Sequence, residues 1–183
     1  MKRVSLLLAF VCLAILGCGS PTGSTIELQT VSLSVAPGSD RLEADVLIGN
    51  SCTTGGGTYT TQTIPIVVTS TPYANASIKS PVTISKITIS YSKYDPTSAA
   101  PVLPNQYDTG GTIYPGVPKT FDVKVAPDKL LLDLVNTYGL TLCSLDYWEY
   151  YVTITFDGVE DIGGKSVTFS TKVKVAFADR NNV

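Results

Sequence analysis

Two long segments near the C-terminus alternate apolar and polar residues with a period of two. Trp148, Tyr150, Val152, Ile154 and Phe156 fall on one parity, and Glu149, Tyr151, Thr153 and Thr155 on the other. Val167, Phe169, Thr171, Val173, Val175 and Phe177 alternate in the same way with Ser166, Thr168, Ser170, Lys172 and Lys174. Only an extended backbone sends successive side chains to opposite faces, so both segments read as strands with one buried face. Asp157-Gly158 and Gly163-Gly164 lie between them, which predicts a long hairpin with an acidic tip at Asp157, Glu160 and Asp161.

The same period runs through most of the chain. Ile26 to Ala36 reads as one strand with a phase slip, which a bulge near Gln29-Thr30 would explain. Pro37-Gly38-Ser39-Asp40 is a turn, and Leu42, Ala44, Val46 and Ile48 form the next half-buried strand. Asn50 to Thr63 is a loop around Gly55-Gly56-Gly57 that carries Cys52. Ile64 to Thr69 is a strand in which Pro65, having no N–H, requires an edge or a strand start. Val82 to Tyr91 slips phase between Ile84 and Ile87. Tyr94 to Lys119, with five prolines and Gly110-Gly111, reads as a long irregular loop, and Phe121, Val123 and Val125 as a strand.

One helix interrupts the pattern near residues 127–138. Pro127 suits its first position, Asp128 suits its N-terminal dipole, and Leu131, Leu134, Val135 and Tyr138 make one apolar face before Gly139 stops it. About seven strands with this helix predict an all-β fold, an immunoglobulin-like two-sheet β-sandwich over residues 26–179, with a short tail at 180–183. The Cys-Trp-Cys order of antibody domains is absent, because Trp148 comes after both Cys52 and Cys143.

The N-terminus is of another kind. Lys2 and Arg3 precede an apolar run from Val4 to Leu16, which as a helix spans only ~20 Å of a ~30 Å hydrocarbon core. The run ends in Ile15-Leu16-Gly17-Cys18. Residues 2–18 resemble the signal segment and lipobox of bacterial lipoproteins. The resemblance implies a diacylglyceryl group on the Cys18 sulfur, cleavage before Cys18 so that 1–17 is a signal peptide, and acylation of the new amine. Several acyl chains anchor a protein stably. Gly19, rather than Asp, after the cysteine implies the outer membrane by the same resemblance. Residues 18–25 then read as the lipidated cysteine and a polar, flexible tether.

Composition narrows the function. The chain has a formal charge of −2, and loss of Lys2 and Arg3 leaves −4 with no basic run, so nucleic acid is not an expected partner. Histidine is absent, which removes His-activated nucleophiles and His-ligated metals. With Cys12 in the apolar run and Cys18 at the lipobox, Cys52 and Cys143 remain for one disulfide in an oxidising compartment. Their pairing stays open. If successive strands reverse direction, the two fall at opposite ends of a sandwich, beyond the ~7 Å reach of a bridge. Two cysteines do not make a Cys-rich zinc site, and no cofactor or metal is expected.

The short motifs read blandly. Asp108-Thr109-Gly110 matches the Asp-Thr-Gly of aspartic proteases, but one copy lacks the second carboxylate and reads as a glycine turn. Gly164-Lys165-Ser166 lacks the leading glycine of a phosphate loop, and Ser90 and Lys93 point to opposite faces of a strand. Asp157, Glu160 and Asp161 lack a full calcium ligand set and read as a solvated hairpin tip.

Three functions are compatible with these features. The first is a lipid-anchored envelope protein with a structural, assembly or adhesive role and no catalysis, its partners being the membrane and an envelope protein or glycan. The second is a carbohydrate- or ligand-binding module that uses the 94–119 loop through Tyr94, Asp95, Asn105, Tyr107 and Tyr114. Tyr91 also borders this loop, and such tyrosines equally serve to staple a loop to a sheet. The third is a carboxylate-based hydrolase.

Overall fold

The computed structural model describes residues 24–180. The expected signal peptide (1–17), Cys18, the tether up to residue 23 and the tail beyond residue 180 lie outside the described residues. Within them the chain forms β1 (Ser24–Glu27), β2 (Val31–Pro37), β3 (Arg41–Asp45), β4 (Gln62–Pro72), β5 (Val82–Lys93), β6 (Gln106–Ile113), β7 (Lys119–Ala126), α1 (Asp128–Asn136), β8 (Tyr147–Glu160) and β9 (Ser166–Ala178). The strands make a four-stranded sheet, β1-β2-β4-β7, and a five-stranded sheet, β3-β9-β8-β5-β6. The architecture is the expected all-β sandwich. β2, β4 and β7 on one sheet against β5, β8 and β9 on the other is the immunoglobulin-like division, with β6 added at an edge.

The β8–β9 hairpin forms as the alternation requires, in register from Tyr147 opposite Ala178 to Val159 opposite Ser166. Its inward residues Tyr150, Val152, Ile154, Phe156, Val173, Val175 and Phe177 are buried against Leu33, Ile64, Ile66 and Val123 of the facing sheet. Phe156 stacks on Phe169 at 5.0 Å and meets Phe121 across the core at 5.5 Å. Each such side chain contributes roughly 1.5–3 kcal/mol by leaving water. The slip in β5 is a bulge: Ile84 and Lys86 face adjacent residues Gly158 and Asp157 of β8, leaving Ser85 unpaired in that ladder.

Several local expectations are corrected. Ile26 to Ala36 is not one bulged strand. The chain reverses at Leu28–Thr30, where the Leu28 N–H donates to the Val31 carbonyl, and β1 pairs back on β2. Ser24 and Thr25, read as tether, belong to β1. Pro65 sits inside β4, between β2 and β7, rather than at an edge or start. Its missing N–H falls on the side where β2 has already ended at Pro37, opposite Ile66, and its carbonyl accepts from the Gly38 N–H. Tyr94 to Lys119 is not loop throughout, because Gln106–Ile113 forms β6. Asp108-Thr109-Gly110 is therefore strand, not turn. A side chain at Gly110 would meet the Ile84 carbonyl oxygen at 1.9 Å, so glycine here permits close pairing with β5 rather than a reversal.

The direction of β3 also departs from simple alternation. Pro37-Gly38-Ser39-Asp40 moves the chain from one sheet to the other without reversing it. β2 begins beside Glu160, at one end of β8, where the N–H groups of Gln29 and Thr30 bind that carboxylate. β3 runs parallel to β9 and ends at Asp45 opposite Ala178, at the other end. β2 and β3 thus traverse the sandwich as one path, and the loop holding Cys52 leaves from the end where β8 begins.

The helix closes that same end. β7 finishes there, Leu130, Leu131 and Leu134 of α1 are buried, and the chain returns to β8 without crossing the molecule. Pro127 is the residue before the helix rather than its first residue, and Thr61 Oγ1 accepts the Asp128 N–H. The helix ends at Asn136, capped by Thr137, rather than at 138, and Gly139, at φ 80, turns the chain just beyond it.

Candidate ligand-binding site at the disulfide end

Three loops converge where β3 ends and β8 begins. Cys52 and Cys143 form a disulfide with Cα atoms 5.6 Å apart. The geometric objection to it fails because β2 and β3 share a direction. Beneath it, the buried Asp179 carboxylate accepts two contacts of 2.9 Å from the Asn50 amide and one from the Cys143 N–H. Cys143 itself holds φ 56, a conformation costly for a residue with a side chain. One carboxylate thus fixes the glycine-rich loop, the helix–β8 connection and the end of β9 together.

Two clefts open at this end of the five-stranded sheet, one of them lined by the bridge itself. The larger, about 680 Å³, has Ala176 and Ala178 as floor, Arg41, Glu43 and Arg180 as one wall, and Leu145 and Tyr147 as the other. Small outward residues on β9 make the hollow. Glu43 pairs with both Arg41 and Arg180, and Arg41 reaches Glu149 at 3.2 Å. The smaller, about 290 Å³, is lined by Tyr94, Asp95, Ser98, Tyr147, Trp148 and Glu149. Tyr147, 59% exposed, stands between the two. Leu145 is wholly exposed at the rim.

The ligand residues expected from sequence do not converge. Tyr94 and Asp95 line the smaller cleft. Asn105 is exposed just before β6, Tyr107 is exposed on β6 opposite Thr88, and Tyr114 lies past the far end of β6, beyond the Val82–Ile113 pair. Tyr94 is backed by Tyr151 at 5.1 Å and by the Lys174 ammonium 3.8 Å from its ring, while Lys86 lies 4.5 Å from the Tyr107 ring. Asp95 accepts from the Thr97 hydroxyl and N–H, and these bonds hold its carboxyl below the ordinary range. The stapling of the loop falls to another tyrosine, Tyr150. Tyr150 donates to the Pro101 carbonyl of the loop at 2.9 Å, whereas Tyr91 donates to the Val125 carbonyl of β7 at 2.8 Å and so ties the two sheets together, and burial pushes both phenols up.

Sequence reasoning missed Tyr147, Asn50, Asp179 and the arginines. Tyr147 and Trp148 were legible as adjacent aromatics at a strand start. Asp179 carried a weaker signal, an acid placed just where the β9 alternation stops.

Glu160, Asp157 and Asp108 are engaged in structure, while Asp161 is exposed at the hairpin tip. Glu160 is in β8 and fully buried, not at a solvated tip. It accepts from Gln29 N–H at 3.0 Å, Thr30 N–H at 2.9 Å and the Thr30 hydroxyl at 2.6 Å. Burial opposes its charge, but these bonds and Lys165 outweigh it and hold the carboxyl below the ordinary glutamate range. Asp157 accepts from the Thr168 hydroxyl. Asp108, of the protease-like triplet, accepts the Lys124 N–H at 3.3 Å and so ties edge strand β6 to edge strand β7.

Fold and site together define a disulfide-closed, immunoglobulin-like β-sandwich with paired clefts at one end. No protein-family model, curated protein or solved structure matches the chain.

Proposed function

We propose that the chain is a lipid-anchored protein of the cell envelope, held at the outer membrane through Cys18, with a structural or adhesive role and no catalysis. The observation that carries this reading is the disulfide between Cys52 and Cys143, which supports an oxidising compartment independently of the lipobox resemblance. The buried carboxylates lie at opposite ends of the sandwich, Glu160 holding the Gln29 and Thr30 N–H groups and Asp179 the Asn50 amide and the Cys143 N–H, so they do not form the close acidic pair of a hydrolase.

Intact mass of membrane-extracted protein, with and without reduction, tests it. Cleavage before Cys18 with acyl chains attached, and alkylation of Cys52 and Cys143 only after reduction, is the expected result. A lipid-free mass would sink the anchored role.

A second reading has its own support. The Tyr147 ridge between two clefts, with Tyr94, Trp148 and hydrogen-bonding Asp95 and Glu149 beside it, suits stacking on a sugar ring. A glycan array with wild type and Tyr147→Ala checks it, and binding that ignores the substitution would end it.

A further inference from the structure

Cys52, Cys143 and Asp179 bring two sulfurs and a carboxylate oxygen within 4.8 Å of one another. They arrive from three separate parts of the chain: the loop after β3, the connection after α1, and the residue just past β9. In the oxidised chain the sulfurs are bonded to each other, and it is the thiolate that ligates metals. Both cysteines are exposed and line the larger cleft, so a reductant reaches them. Exposed disulfides are the labile ones.

Asp179 differs from its neighbours in being buried and pre-oriented by the Asn50 amide and the Cys143 N–H. Metal-binding groups are commonly held in this way by outer hydrogen bonds. A carboxylate has about four acceptor positions, so these three bonds leave capacity for a cation.

The geometry points to a second, reduced state in which the Cys52 and Cys143 thiolates and the Asp179 carboxylate bind one thiophilic divalent cation of the zinc class. Water from the cleft completes a tetrahedral set. Two cysteines alone fall short of such a site, and the third ligand comes from an acid that only the fold brings to them. A dithiol reductant supplies two electrons and two protons, becoming a disulfide itself as the Cys52–Cys143 bond breaks into two thiols. Binding the cation then expels both thiol protons to solvent. Bridge and cation exclude each other, so the cleft wall carries either a covalent tie or a metal according to the local thiol supply. This inference does not depend on the lipid anchor.

The test uses the full chain with Cys12→Ser and Cys18→Ser, so that one cysteine pair remains. It is reduced with a phosphine under argon and titrated with Cd²⁺. A sulfur-to-cadmium absorption band that saturates at one ion per chain is expected, absent from the oxidised chain and from Cys52→Ser. Asp179→Asn should keep the band but bind at least about tenfold more weakly. No band in the reduced chain overturns the site, and an unweakened Asp179→Asn overturns the assignment of the carboxylate. Should reduction unfold the chain, Cd²⁺ must restore its far-UV circular dichroism, because binding and folding are coupled. Failure to restore it counts against the site equally.

Discussion

The two ends of the sandwich are closed by different chemistry. At one, a disulfide and a carboxylate under it join three loops around open clefts. At the other, the buried Glu160 carboxylate holds the Leu28–Thr30 turn through hydrogen bonds alone. The Thr30 hydroxyl also accepts from the Ser80 N–H, and Ser80 Oγ accepts from the Ile162 N–H, so three loops meet there as well. Both ends solve one problem, that turns bury backbone N–H groups needing acceptors. The first solution answers to redox state and leaves the surface accessible. The second answers to pH and is sealed.

The largest expected effect breaks the covalent end. The bridge spans 91 residues. Replacing Cys52 and Cys143 by Ala should cost about 2–5 kcal/mol, read from urea unfolding. A loss under about 1 kcal/mol would mean that Asp179 and Asn50 hold that end without the bridge.

Next comes the sealed end. Glu160→Gln replaces an acceptor-only group with one that presents donors to the Thr30 and Gln29 N–H groups. A loss of about 1.5–3 kcal/mol is expected. A neutral result would assign the closure to the apolar contacts of Leu28 and Ile26 instead.

The comparison is sharpened by pH. The folded Glu160 pKa lies below the unfolded value, so its stabilisation is complete above the unfolded pKa of about 4.3 and disappears as pH falls through the lower folded one. The gap between wild type and Glu160→Gln should be flat from about pH 7 to 5 and close below about 4. A gap that does not narrow at all as pH falls below about 4 would contradict the charge-based account.

Smaller still is Tyr150→Phe, which removes one bond to the Pro101 carbonyl and should cost about 0.5–1.5 kcal/mol. Faster hydrogen exchange in residues 95–105 would locate the loss in the stapled loop. The least effect should come from Lys129→Ala in α1, where the pair with Asp133 at 2.8 Å is exposed to solvent and screened by it, and urea unfolding should not separate the variant from wild type.

Much of this fold was legible where burial enforces a pattern. β8 and β9 have one wet and one dry face along most of their length, so their alternation is clean. The β5 bulge showed as a phase slip because a single extra residue exchanges faces. β6 was illegible because it is an edge strand of Asp, Thr and Gly, chosen for close approach to Ile84 and for the Asp108 bond to β7 rather than for burial. The Leu28–Thr30 reversal looked like a bulge, since both invert the parity of the residues after them. Of the ligand residues expected from sequence, only Tyr94 and Asp95 reach a cleft, since loop residues near in sequence were spread along opposite ends of β5 and β6.

The sequence by itself determined most of the strands, the helix and its stop, and the supply of two cysteines for a bridge. These are local consequences of side-chain period, proline and glycine stereochemistry, and residue count. Only the tertiary structure decided that β2 and β3 run the same way, and with that the meeting of Cys52 with Cys143 and of both with Asp179. A turn sequence records that the chain bends. Whether it reverses or steps to the other sheet depends on which sheet offers the next strand a ladder partner, and that partner, β9, lies more than a hundred residues away.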